Sequence, residues 1–299
     1  MTPDRRRRLA YVLIFVAPAL WGVNYLVARA AADVIAPHML AFWRWLLAGT
    51  LLGALAQREI ADGRASITRE WKHYLVLGSL GMWICGAFVY IGGRTTPATN
   101  ISLIYALSPV LIAAFSTAAL GERLGLAQSA GIGISLAGFF HIVLKGQWGD
   151  LSSVRLTPGD WWIFIAAISW AAYTLLLKRW PSNFGPTARL ALITAGGVLV
   201  LLPFTIVEAI VMPMAFSWRA VGYVVATALF PAFGAYLSYS FMLRELGASR
   251  VGVVLYMGPV YAAVMAWLVL GEPIQAFHGV GAALILPGVY LATRSSTGA

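Results

Sequence analysis

Charge is what this sequence has least of. Asp, Glu, Lys and Arg make up 11% of its 299 residues against 60% hydrophobic ones, and mean hydropathy is +0.80. A soluble domain carries about a quarter charged residues, so water is not the main solvent of this chain. Cysteine occurs once, at Cys85, which excludes an internal disulfide or a cysteine-based metal site; its mid-span position reads as packing. The four histidines, His38, His73, His141 and His278, are scattered without ligand spacing, which argues against a metal centre and against an integral-membrane enzyme. No acid lies deep in an apolar stretch. A dedicated cation pump needs a carboxylate in its path, so that class is disfavoured. No cofactor is expected.

What the sequence does have is long apolar runs. Ten of them, at about 10–32, 37–56, 73–93, 98–120, 125–144, 160–178, 187–212, 218–243, 248–270 and 274–293, reach or approach the roughly 20 residues of a membrane-spanning helix. In lipid every backbone group must bond internally, so only helices or closed barrels survive. These runs do not alternate as barrel strands would. The expected fold is all-α and integral to the bilayer, with ten transmembrane helices. The connections are short apart from a basic loop at 57–72 and a glycine-containing loop at 145–159.

The chain also says nearly the same thing twice. Ser108-Pro109-Val110 recurs as Gly258-Pro259-Val260, and Leu120-Gly121-Glu122 as Leu270-Gly271-Glu272. Gly131, Leu136 and Gly138 match Gly281, Leu286 and Gly288 in the same register, and Pro37 matches Pro186. Each copy holds five spans. Five is odd, so the second copy enters the membrane from the opposite side, giving two inverted five-helix repeats, 1–145 and 160–299, joined by 146–159. Inverted repeats let one fold open to either face in turn, as a secondary transporter requires. A small-molecule substrate and the bilayer are then the expected partners.

The net charge of +10 is distributed as topology rather than as a nucleic-acid footprint. Fifteen of the 21 Lys and Arg fall on the side of the N-terminus, among them Arg5 to Arg8, Arg58, Arg64, Arg69 and Lys72. Five lie on the other side: Arg29, Arg94, Lys145, Arg155 and Arg219. Basic loops stay in the cytoplasm, so both termini are predicted cytoplasmic. Arg5–Arg8 before an apolar run imitates a signal peptide, but the run is too long for a signal core, and span 1 is taken as mature structure.

The candidate working residues sit within the spans. Arg44 lies about seven residues into span 2, where an arginine costs roughly 2.5–3.5 kcal/mol, so it should face the interior. It either engages a carboxylate, including that of an amino-acid substrate, or serves as a structural tie. Trp21 and Tyr25 with Asn24, Trp83 with Tyr90, Trp170 with Tyr173, and Tyr236 with Tyr239 recur at helical spacing. With Tyr105 and Tyr256 they are assigned to the wall of a central, aromatic-lined cavity for flat, partly apolar solutes. Pro109 and Pro259 remove an amide donor in mid-span and read as static kinks or as a symmetric pair of hinges. Glu122 and Glu272, in tight turns, read as structural caps on the following helices. Gly49, Gly53, Gly131, Gly133, Gly279 and Gly281 mark close helix contacts, within one bundle or at a dimer face.

Trp21-Gly22-Val23-Asn24, Arg44 and the paired segments 109–138 and 259–288 together resemble the EamA-type transporters of the drug/metabolite transporter superfamily, over essentially the whole chain. Trp170-Ala171-Ala172-Tyr173 followed by Lys178 is similar to the bacterial aromatic amino-acid exporter branch. The resemblance implies a bacterial inner-membrane exporter of amino acids, aromatic ones included, and related metabolites, working by alternating access; a monomer is expected to suffice, with an oligomer left open. Export of other metabolites or drugs is the same-class alternative. Arg44 faces Ile193 in the repeat alignment, so whatever Arg44 does is done by one half alone.

Overall fold

The computed structural model describes residues 2–120, 125–149, 157–246 and 253–293. Among them the regular structure is entirely helical. The first half comprises α1 (Pro3–Ala30), α2 (Pro37–Asp62), α3 (Arg64–Gly92), α4 (Ala98–Tyr105, resuming as Ser108–Leu120) and α5 (Leu126–Val143). The second comprises α6 (Pro158–Arg179), α7 (Pro186–Val211), α8 (Trp218–Leu246), α9 (Val253–Met265, widening into a π segment Ala266–Leu270) and α10 (Ala276–Thr293). Helices α1 to α8 each include an apolar stretch long enough to cross a bilayer, and the last two segments are shorter apolar helices. Four helices (α1, α2, α6 and α7) begin on a proline, where its missing N–H costs nothing and its fixed φ favours the first turn.

Packing repeats the sequence symmetry. α2 lies against α7 and α5 against α10, each helix facing its own counterpart. α1 packs on α9 as α6 packs on α4, and α1 on α8 as α6 on α3. This is the pattern of two five-helix halves related by a two-fold axis. The α5–α10 seam is set by glycine: a Cβ on Gly131 would stand 2.5 Å from the Ala292 nitrogen, and one on Gly288 would stand 2.7 Å from the Ser135 nitrogen. Gly49 packs against Thr194 across α2–α7, whereas Gly53, Gly133 and Gly279 face open space.

The basic stretch 57–72 is not a loop. α2 runs to Asp62, only Gly63 separates it from α3, and α3 is helical from Arg64. Hydropathy marks where a helix leaves lipid, not where it ends, and Arg, Glu and Lys are good helix formers in water. The symmetry extends to a feature invisible in composition. α3 carries a π segment at Ser79–Ile84, and α8 carries one at the equivalent place, Ala228–Gly234.

The scarce acids tie helices together at their ends. Glu208 of α7 accepts a hydrogen bond from Met39 N (2.9 Å) in the first turn of α2, and lies 3.0 Å from His38 Nδ1. Glu272 accepts from Ala98 N at 3.0 Å, the start of α4, and sits 3.6 Å from Arg29 Nε. It caps α4 rather than the helix that follows it, because α10 begins only at Ala276 while the exposed amides of α4 stand opposite. α10 is capped instead by His278, whose Nδ1 accepts from Gln275 N (3.0 Å). Nε2 then carries the ring proton and donates to Asn100 Oδ1 at 2.9 Å. Glu122 lies outside the described residues.

Candidate functional site: a central cavity between the halves

A cavity of about 360 Å³ occupies the centre of the bundle. Its wall is built from α1, α2, α3, α4, α6, α8 and α9, thus from both halves. The π segments of α3 and α8 both reach it, through Gly81 and Pro231. A widened turn displaces backbone from the regular ladder, and such segments recur where a helix must make room for function. Gly81 and Gly86 let aromatic rings in close. A Cβ on Gly81 would lie 2.9 Å from the Tyr173 ring, and one on Gly86 would lie 3.0 Å from Trp45 Nε1.

Arg44 is buried, at 5% exposure. Its Nη1 donates to Asn24 Oδ1 and to the Tyr90 hydroxyl, both at 2.8 Å, and Tyr90 in turn donates to Asn24 Oδ1 at 2.9 Å. Its guanidinium carbon stands 4.4 Å from the centre of the Trp45 ring, a cation–π contact. No ion pair to Arg44 is present among the described residues. The charge is thus held by neutral dipoles and a ring face, and stays electrically unspent. No Asp or Glu lines the cavity among the described residues.

The aromatic residues sort into layers. Trp21, Tyr25, Tyr105, Trp170 and Tyr236 line the cavity together with Asn24 and Arg44. Tyr25 and Tyr105 stand 6.0 Å apart, and Trp21 meets Tyr236 edge-on at 6.3 Å. Tyr90, Tyr173 and Tyr239 form a second layer: Tyr90 holds Arg44, Tyr173 stacks on Trp170 at 5.1 Å, and Tyr239 tilts against Trp21 at 5.6 Å. Trp83 belongs to neither. It stacks at 4.1 Å on Phe204 of α7, whose ring is partly exposed. The seven-residue spacing that placed it with Tyr90 fails because Trp83 sits in the π segment, where each residue turns the helix through a smaller angle. The side chain of Tyr256 lies outside what is described.

Several lining residues escaped the sequence reading. Ser102, Ala106 and Ile112 are three of them, and they extend the helical stripe that Tyr105 and Pro109 begin along α4, a spacing that was available as a signal. Trp45 and Cys85 had none. Trp45 is a neighbour of Arg44 and should point elsewhere on an isolated helix, while Cys85, read as packing, presents its sulfur to the Tyr105 hydroxyl at the cavity edge. Pro231 has no proline counterpart in the first half, yet it lines the cavity. Pro109 and Pro259 both line it too.

Similarity to known proteins agrees with this architecture. The model of the EamA-like transporter family matches twice, at residues 8–144 and 157–294. An "Uncharacterized transporter" of Archaeoglobus fulgidus is 28% identical over 95% of this chain and 96% of its own. A "Probable terminal-alkyne amino-acid exporter" of Streptantibioticus cattleyicolor is 28% identical over 77% of this chain and 75% of its own. A solved crystal structure superposes with a TM-score of 0.61 at 22% identity, covering 95% of this chain and 96% of that one, a likeness of fold. Two matched halves, ten apolar helical segments and a cavity between the halves make one statement: this chain belongs to the EamA-like transporter family.

Proposed function

We propose that the protein is a secondary carrier of a bacterial inner membrane that exports amino acids, aromatic ones included, and related metabolites by alternating access. The observation that carries this reading is the central cavity, with one buried cation and no acid among its described lining residues, walled by aromatic rings. A solute with a carboxylate at one end and a flat apolar body at the other fits that wall. A relative's printed name, an amino-acid exporter, supports the substrate class, and the resemblance to exporters supports the direction. Cationic drugs fit less well, since they would stand beside Arg44 with no counter-ion.

On this reading the halves 1–145 and 160–299, joined by 146–159, rock about Pro109 and Pro259. Both termini lie in the cytoplasm, so Glu272 marks the outer end of the bundle, and one monomer suffices. The test is accumulation of a labelled amino-acid panel in proteoliposomes, with and without a pH gradient. Saturable uptake that shows counterflow, strongest for aromatic members, is expected. No uptake of any amino acid would sink the substrate class and leave the architecture standing.

A further inference from the structure

The guanidinium of Arg44 has one edge in use and one edge free. Both of its hydrogen bonds leave from Nη1. Nε is buried without a partner, and Nη2 makes no hydrogen bond to a described residue. These two nitrogens lie side by side in the plane of the group, at the spacing of the two oxygens of a carboxylate. Trp45, 2% exposed and stacked on the same guanidinium, holds a second buried donor without a partner, its Nε1. A buried donor left unpaired costs free energy, so two of them at one cavity wall mark a place for an acceptor that comes and goes.

The remaining polar groups point the same way. Arginine has no acceptor, so the Asn24 atom facing it must be the oxygen, and that oxygen already accepts twice. What Asn24 has left to offer is its NH₂ group, a third donor. The hydroxyls of Ser102 and Ser108 are spent on the carbonyls of Thr99 and Tyr105, both at 2.7 Å. An ammonium in this cavity finds ring faces and tyrosine oxygens but no carboxylate among the described residues, and it stands in the field of Arg44.

We infer that this cavity recognises a carboxylate and not a zwitterion. Its ligands are carboxylates with an aromatic or otherwise flat apolar body, held side-on by Nε and Nη2 of Arg44. The α-ammonium of an amino acid is tolerated without being bound. The inference rests on the reading of the cavity as the substrate site, and it widens the substrate class to deaminated aromatic acids.

The test is a series of three probes sharing one ring: phenylalanine, 3-phenylpropanoate and phenethylamine. Each is titrated by calorimetry into the purified full-length protein in detergent. 3-Phenylpropanoate should bind at least as tightly as phenylalanine, and phenethylamine about tenfold or more weakly, the worth of one hydrogen bond to a charged group. Arg44→Lys, which keeps the charge and loses the fork, should weaken both acids by roughly tenfold and leave phenethylamine unmoved. Phenethylamine binding as well as phenylalanine, or 3-phenylpropanoate binding far more weakly than phenylalanine, would overturn the inference. So would the absence of binding by all three. The wild-type series needs no variant to fold. The proteoliposome panel separates the two failures: amino-acid uptake that persists while the series fails sinks only the carboxylate assignment, and loss of both sinks the amino-acid substrate class as well.

Discussion

The hydroxyl of Ser108 donates a hydrogen bond of 2.7 Å to the carbonyl of Tyr105. That carbonyl is the one left over by Pro109, which has no amide proton to give it four residues on. Ser108 therefore supplies in its side chain what the next residue lacks in its backbone, at the point where α4 breaks and resumes. In the second half the equivalent residue is Gly258, with open space around it, and α9 runs through Pro259 as one helix. The same Pro-Val motif is thus accommodated in two different ways.

Ser108→Ala should orphan the Tyr105 carbonyl at a cost of about 1–3 kcal/mol, read as a lower unfolding temperature in detergent. Pro109→Ala restores an amide for that carbonyl, so the double variant should be more stable than the sum of the single effects allows. Strict additivity in this double-mutant cycle would mean that the Ser108 bond compensates nothing.

Asn24→Asp places a carboxylate where Nη1 of Arg44 already donates. The result is a fixed ion pair in the cavity wall, with Tyr90 still able to donate to the same group. Folding should survive. Transport efficiency for amino acids should fall about tenfold or more, because the substrate carboxylate now competes with a resident one. Initial rates in proteoliposomes measure this, and unchanged rates would show that the charge of Arg44 is not what the substrate meets.

The membrane class, the span count and the two-fold relation were legible because lipid imposes long apolar runs and because Pro109-Val110 and Pro259-Val260 keep register. Arg44 was legible because a charge at that depth must be housed. The cavity wall was only partly legible. The spacing of Trp83 and Tyr90 assumes a straight α-helix that the π segment Ser79–Ile84 interrupts, and nothing in the residue types of 79–84 announces that break. Glu272 is expected from its turn to cap the following helix and caps α4 instead, because a cap between helices depends on tertiary approach, here that of Ala98. Spacing along one helix carries no information about its neighbour.

Cys85 is the sole cysteine of the chain and lines the cavity beside Tyr105. A small methanethiosulfonate reagent therefore needs no background correction. Modification should block transport, phenylalanine at saturating concentration should slow the labelling, and Cys85→Ser should be insensitive to the reagent. Labelling at full rate with substrate bound would place the solute elsewhere.

Glu272 titrates at the end of the bundle. Burial pushes its carboxyl above the ordinary value of 4.5, opposed by the backbone N–H groups of Ala98 and Thr99 and by Arg29. A carboxyl whose pKa is raised on folding stabilises the native state below the unfolded-state pKa, and that contribution is lost as pH rises through the raised value. The unfolding temperature should therefore decline as pH climbs from about 4.5, and Glu272→Gln should flatten that decline while its amide oxygen keeps the Ala98 bond. Glu272→Ala should lose the cap at about 1 kcal/mol. Identical pH profiles for wild type and the Gln variant would remove Glu272 from the account.

Gly131 and Gly133 stand two residues apart on α5 and separate packing from mere composition. A Cβ at Gly131 meets backbone on α10, 2.5 Å from Ala292 N and 2.6 Å from Gly288 O, while one at Gly133 meets nothing within 4 Å. Backbone cannot swing away as a side chain can, so Gly131→Ala must push α5 and α10 apart, at about 1–3 kcal/mol for an overpacked contact. Gly133→Ala gains helix propensity of about 1 kcal/mol and loses nothing inside the bundle. Thermal unfolding of the two variants should move in opposite directions. A destabilised Gly133→Ala would reveal a partner pressed on the outer face of α5, such as a second copy of the chain.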